Sequence, residues 1–122
     1  MKDSMNKIII ATGGTGGHIF PSLSLANYLK EKYEIELTTD KRGFFYLKNF
    51  KKYKVTVINS DTIFGKNIFK VFLGTIKIIS SLIFSIFLIL KIKPKLIIGM
   101  GGYSSFPICL AGYLLRIPII IY

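Results

Sequence analysis

A chain of 122 residues with one cysteine and a formal net charge of +11 has room for one domain with a real core. It has no internal disulfide framework, and at 51% hydrophobic residues it does not belong to the disordered class. The charge is unevenly placed: all six acids lie at or before Asp61, and seven bases with no acid follow. Such asymmetry points to an anionic partner surface, either a membrane face or nucleic acid. A drift towards Ile and Lys (22 Ile and 15 Lys against 2 Arg) offers a blander source for the total charge, though not for its clustering around one apolar segment. Cys109 sits among apolar residues and reads as a small hydrophobe, which fits a reducing compartment. No secretory signal is expected, because Met1 to Lys7 is polar and the apolar run after it is short.

In chain order, Lys7 to Thr12 reads as a buried parallel strand ended by glycine. Gly13-Gly14-Thr15-Gly16-Gly17-His18 is a turn, and a helix is expected from about Pro21 to Lys32, with Pro21 in its first turn. Ile35 to Thr39 is the second strand, Thr39 to Gly43 a polar turn, and Phe44 to Lys52 a weak helix. Val55 to Ile58 is the third strand, and Asn59 to Asn67 a loop. Ile68 to Lys93 is the longest apolar segment, stopped by Pro94. Thirteen uncharged residues separate Lys77 from Lys91, fewer than the roughly 20 a spanning helix needs, although Val71 to Leu90 suffices if Lys77 is tolerated. A crossover helix with one face on the sheet and one on an anionic membrane, a wholly buried helix and a true span all stay open. The first is favoured by the flanking Lys66, Lys70, Lys91, Lys93 and Lys95. Leu96 to Met100 is the fourth strand, Phe106 to Leu115 a helix, and Pro118 to Tyr122 a fifth strand.

Strict alternation of strand and helix implies an α/β domain, a Rossmann-like doubly wound parallel sheet. The order 3-2-1-4-5 brings the ends of strands 1 and 4 together at the topological switch point, where ligands bind. Two glycine turns fall there: Gly13 to His18, and Gly101-Gly102-Tyr103-Ser104-Ser105. Four glycines in five positions let the backbone approach a ligand closely, and a helix N-terminus favours phosphate. We therefore expect the two turns to hold one anionic ligand. The Walker pattern fails because His18-Ile19 replaces its Lys-Ser/Thr pair. The dinucleotide fingerprint fails because Ile19 occupies the position of its last glycine, although Asp40 stands where a ribose-binding acid would.

The two turns, Gly13-Gly14-Thr15-Gly16-Gly17-His18-Ile19-Phe20-Pro21 and Gly101-Gly102-Tyr103-Ser104-Ser105-Phe106-Pro107, closely resemble those of the MurG family. These are peptidoglycan N-acetylglucosaminyltransferases of glycosyltransferase family 28, two-domain enzymes of GT-B fold. Leu23-Ser24-Leu25-Ala26 and Thr39-Asp40-Lys41-Arg42-Gly43 are similar to one branch of that family. The resemblance covers essentially the whole chain and implies that residues 1–122 are a GT-B N-terminal domain, acceptor-binding and membrane-associating, with the C-terminal donor-binding domain absent. It implies transfer of GlcNAc from UDP-GlcNAc to undecaprenyl-diphospho-MurNAc-pentapeptide (lipid I), giving lipid II with inversion. It places Thr15, Gly16 and Gly17 against the donor sugar. Gly14, His18, Gly101, Gly102, Tyr103 and Ser104 are placed around the acceptor diphosphate. The lysine-flanked helix matches the family's membrane contact, which implies a peripheral protein on the cytoplasmic face of the bacterial inner membrane. No metal and no cofactor are expected. The family's next segment, with a donor-contacting Asn, lies past Tyr122, so the 122 residues alone are expected to be inactive.

His18, the one histidine, can act as general base, since a free imidazole titrates near neutrality. It can equally orient a phosphate or cap a helix. Ser104 and Ser105 read first as helix caps. Asp40 and Arg42 can line the acceptor cleft, but a solvated turn is the simpler reading. Lys48, Lys51, Lys52 and Lys54, interleaved with Phe50 and Tyr53, read as a solvated helix face before an RNA surface, and no nucleic-acid partner is expected. The main alternative to an enzyme half is a membrane-docked, non-catalytic subunit that recruits a separate glycosyltransferase chain.

Overall fold

The structure, a computed structural model, describes residues 6–14, 16–48, 52–58, 68–102 and 104–122. Five strands and four helices alternate along the chain: β1 (Lys7–Ala11), α1 (Gly16–Leu29), β2 (Glu34–Thr39), α2 (Lys41–Leu47), β3 (Lys54–Val57), α3 (Ile68–Ile92), β4 (Leu96–Gly99), α4 (Ser105–Leu114) and β5 (Ile119–Ile121). The sheet is parallel throughout and ordered β3-β2-β1-β4-β5, as the alternation predicts.

β1 is central, with Ile8 opposite both Ile35 and Leu96, and Ala11 opposite both Thr38 and Gly99. Its apolar run has no polar alternation because both faces are covered. Ile8 and Ile10 pack with Leu37, Ile98 and Met100 under Ile19, Leu23 and Ala26 of α1 and Leu47 of α2. On the opposite face, Ile9, Ala11 and Ile97 pack against Ile89 and Ile92 of α3 and Ile108 and Ala111 of α4. Cys109 of α4 lies where a Cβ on Gly99 would be, 2.7 Å from its Sγ, and burial pushes its thiol pKa up. It packs as an inert apolar group.

Two element boundaries differ from the sequence reading. First, α1 starts at Gly16, so Pro21 lies inside it. Proline is tolerated so near the start because it forfeits a single early hydrogen bond, the one to the Gly17 carbonyl. Second, α2 starts at Lys41 and ends at Leu47, capped by the Asp40 carboxylate, so the expected polar turn is already the first turn of a helix. The expected loop 59–67 lies outside the described residues, as does Phe50.

α3 is an unbroken helix of 25 residues, roughly 37 Å long. Val71–Ile92 is long and apolar enough to cross a membrane by length and composition. Its inward stripe is Ser81, Ser85, Ile89 and Ile92, all buried. Its outward stripe is Phe72, Ile76, Ile79, Ile83, Phe87 and Leu90, all exposed, with Phe72 at 62% and Phe87 at 67%. The helix is therefore not wholly buried within this domain.

Candidate functional site

The two glycine turns meet at the C-terminal ends of β1 and β4. Backbone hydrogen bonds carry the strands into them: Met100 N–H donates to the Ala11 carbonyl at 2.8 Å, and Thr12 N–H to the Thr38 carbonyl at 2.9 Å. Gly102 adopts φ +89°, and a Cβ there would lie 2.8 Å from Gly13 Cα and 3.0 Å from its carbonyl carbon. The turns thus touch backbone to backbone, which any side chain at Gly102 would prevent. Ser104 locks them further. Its hydroxyl donates to the Thr12 carbonyl at 2.9 Å, a buried bond joining residues 92 positions apart.

Ser104 is the N-cap of α4 by position but makes no side-chain capping bond, so the expected cap is corrected to a clamp between turns. The Ser105 hydroxyl donates back to the Gly102 carbonyl at 2.8 Å and closes the second turn on itself. Among the described residues, the amides of Gly101 and Gly102 have no hydrogen-bond partner.

His18 stands in the first turn of α1, half-buried. Its ring lies against the second turn, with Cε1 2.8 Å and Nδ1 3.0 Å from where a Cβ on Gly101 would be. Gly101, at φ +103°, makes that approach possible. The His18 carbonyl accepts from the Ser22 hydroxyl at 2.7 Å, an ordinary bond within the helix. The imidazole therefore bridges the two turns rather than capping α1.

Asp40 is the residue whose place the sequence misjudges. It is 5% exposed, not a solvated turn. Its Oδ1 accepts from Gly43 N–H at 2.8 Å, the helix cap, and from Gly14 N–H at 3.2 Å. Its Oδ2 faces Arg42 Nη2 at 3.4 Å, with the Arg42 side chain 62% exposed. One carboxylate thus rivets the first glycine turn to the start of α2. The consequence for Gly14 is direct: its N–H, expected at the diphosphate, is already taken by Asp40. The sequence signal was an Asp three residues before Gly43, the N-cap spacing, hidden because Gly43 reads as a turn residue.

Of the predicted site residues, the structure gathers Gly14, Gly16, Gly17, His18, Gly101, Gly102 and Ser104 beyond the C-terminal ends of β1 and β4, and Thr15 and Tyr103 lie outside the described residues. Two helix N-termini, of α1 and α4, open there, and neither carries an acid in its first turn. In α4 the Ser105 N–H is bonded to the Gly102 carbonyl at 3.3 Å and Pro107 has no N–H to offer, so it is chiefly the aligned peptide dipoles of the two helices that favour an anion there. No cluster of three or more potential metal ligands occurs among the described residues.

Residues 8–122 match the glycosyltransferase family 28 N-terminal domain. A curated relative from Wolbachia sp. subsp. Brugia malayi (strain TRS), named UDP-N-acetylglucosamine--N-acetylmuramyl-(pentapeptide) pyrophosphoryl-undecaprenol N-acetylglucosamine transferase, is 44% identical over 117 residues. That alignment covers 94% of this chain and 32% of the relative. A relative of the same name from Agrobacterium fabrum (strain C58 / ATCC 33970) is 39% identical, over 97% of this chain and 32% of its own length. Among solved structures, MurG from Acinetobacter baumannii superposes with a TM-score of 0.81 at 24% identity, over 95% of this chain and 34% of that one. The chain spans about a third of the length of the curated relatives it matches. With the family's domain matched from the first strand to the last residue, this chain belongs to the N-terminal domain of glycosyltransferase family 28.

Proposed function

We propose that this chain is the acceptor-binding half of an inverting hexosyltransferase. The enzyme moves GlcNAc from UDP-GlcNAc to undecaprenyl-diphospho-MurNAc-pentapeptide (lipid I), giving lipid II for peptidoglycan. The backbone contact between Gly102 and Gly13 carries the reading, because it brings two remote glycine turns, each leading into a helix N-terminus, together at one place. The diphosphate takes the amides of Gly101, Gly102 and Ser104 and the N-terminus of α1, and Tyr103 is assigned to the same ligand. Gly14 serves that site by the shape of its backbone, its N–H being held by Asp40. Thr15, Gly16 and Gly17 meet the donor sugar. His18, between the turns, takes the proton from the attacking acceptor hydroxyl while the helix dipoles stabilise the diphosphate. Uridine and most of the donor are assigned to a second domain, corresponding to the remaining length of the relatives.

The same reading places the chain on the cytoplasmic face of the inner membrane. The outward apolar stripe of α3 faces the lipid, and Lys91, Lys93 and Lys95 at its C-terminal end, all exposed, meet anionic headgroups at roughly 1 kcal/mol each. The test uses the 122 residues in nanodiscs of anionic phospholipid. They should retain lipid I yet transfer no GlcNAc from UDP-GlcNAc unaided. Failure to retain lipid I, or transfer by the isolated chain, overturns the proposal. Ile79→Ser with Phe87→Ser should weaken binding to anionic vesicles without altering the fold.

A further inference from the structure

The outer face of α2 carries a strip of rings and cations that the diphosphate site does not use. Arg42 begins it: its Nη2 lies 2.9 Å from where a Cβ on Gly14 would be, so the strip starts at the glycine turn. Tyr46 follows one helical turn on. Its ring sits edge-on to Phe20 of α1, at 6.4 Å between centroids, and to Phe45, at 5.9 Å. Lys48 closes the far end with its Nζ 4.6 Å from the centroid of the Phe45 ring. Phe20, Phe45 and Tyr46 are all exposed. Within α2 only Gly43 and Leu47 are buried, so the domain's own core makes no use of these rings. The bland reading, a solvated helix face, suits Lys48 alone but not three exposed rings in mutual contact.

Two observations select what covers the strip. The first is sidedness. α1 and α2 cover one face of the sheet, while α3 and α4 cover the other, and α3 carries the outward apolar stripe. The glycine turns lie at the C-terminal ends of β1 and β4, between these layers. An acceptor with its diphosphate in the turns and its lipid towards α3 sends its other end, the muramyl-peptide, towards α1 and α2. The second is charge. A peptide ends in a carboxylate, and the strip offers Arg42 and Lys48. Among the described residues the acid beside it is Asp40, which holds Gly14 and Gly43 through Oδ1 and faces Arg42 Nη2 at 3.4 Å through Oδ2, leaving Lys48 and the rest of the Arg42 guanidinium, on a side chain 62% exposed, for an incoming carboxylate. The reach also fits. An extended pentapeptide spans about 17 Å, and positions 42 to 48 rise roughly 9 Å along the helix before side chains are added.

We propose that Phe20, Arg42, Phe45, Tyr46 and Lys48 form a dock for the peptide arm of the lipid-linked acceptor. The proposal rests on the acceptor reading given above, so the experiment separates the two. The isotopically labelled 122-residue chain is titrated by NMR with farnesyl-diphospho-N-acetylmuramyl-pentapeptide and with the same compound lacking the peptide. The peptide compound should bind about tenfold more tightly, equivalent to roughly 1.4 kcal/mol, and shift the signals of Phe20 and residues 42–48. Tyr46→Ala with Lys48→Glu should erase that tenfold difference and leave the affinity for the peptide-free compound unchanged, which also shows that the variant folds. Equal affinity of the two compounds for the unaltered chain overturns the dock and leaves the diphosphate site standing. If neither compound binds, both fail. Self-association that the double variant abolishes, without a peptide effect, assigns the strip to a second copy and overturns the proposal.

Discussion

Gly102→Ala tests the contact on which the site depends. At φ +89° the left-handed backbone costs an ordinary residue about 1–2 kcal/mol. The new Cβ would lie 2.8 Å from Gly13 Cα and 3.0 Å from both its carbonyl carbon and its oxygen. These are backbone atoms, held by the Ser104 clamp on the neighbouring Thr12 carbonyl, and they cannot swing aside. Overpacking of this kind adds about 1–3 kcal/mol. The total, about 2–5 kcal/mol, is a large part of the roughly 5–15 kcal/mol that holds a domain folded. Gly14→Ala is the control. It has φ +73°, and its nearest neighbour is Arg42 Nη2 at 2.9 Å, the tip of an exposed chain that can move. Only the backbone strain remains there, about 1–2 kcal/mol. Urea unfolding followed by circular dichroism distinguishes the two. With a slope of about 1–3 kcal/mol per molar urea, the Gly102→Ala midpoint should fall clearly below that of Gly14→Ala. Coincident midpoints would mean that the two turns do not touch.

Three further changes test other parts of the structure. Asp40→Ala leaves the amides of Gly14 and Gly43 without their acceptor and should cost about 2–4 kcal/mol. Asp40→Asn keeps an acceptor oxygen and should cost less than half of that in the same urea assay. Burial raises the Glu36 pKa, against the pull of Lys54, Lys7 and Lys91. The folded state therefore binds that proton more tightly than the unfolded chain, and Glu36 subtracts stability as pH rises from its ordinary range through the raised value. Glu36→Gln should stabilise the chain at neutral pH, and the gain should vanish in acid below the ordinary glutamate range. The Thr38 hydroxyl is buried without a partner among the described residues. Thr38→Val should raise stability by about 1 kcal/mol and leave ligand affinity unchanged, since Thr38 packs on the sheet face opposite α1 and α2.

The sheet order was legible because β1 and β4 are apolar runs that end in glycine turns, and the strict alternation of strands with helices leaves one simple topology. That the glycine turns meet followed from the same topology. What escaped falls into two kinds. Helix starts were hidden by glycine: Gly16 and Gly17 open α1, and Gly43 sits in the first turn of α2, where their low helix propensity suggests turn instead. Long-range polar bonds were hidden by distance. Nothing near Asp40 announces that Gly14 needs its carboxylate, and nothing near Ser104 points to the Thr12 carbonyl. Both were assigned their commonest local role, a solvated turn and a cap. In each case tertiary contact chose otherwise.

The register of β1 sets an order of events in synthesis. Ile8 pairs with Leu96, so the central strand cannot be flanked on both sides until β4, almost ninety residues further on, has left the ribosome. Pairings this remote in sequence are slow to close. Meanwhile α3 emerges complete, ahead of the α4 it leans on, with its outward stripe and its inward one bare together. For that interval the nascent protein is most in need of a chaperone or of another apolar surface to cover both stripes of that helix.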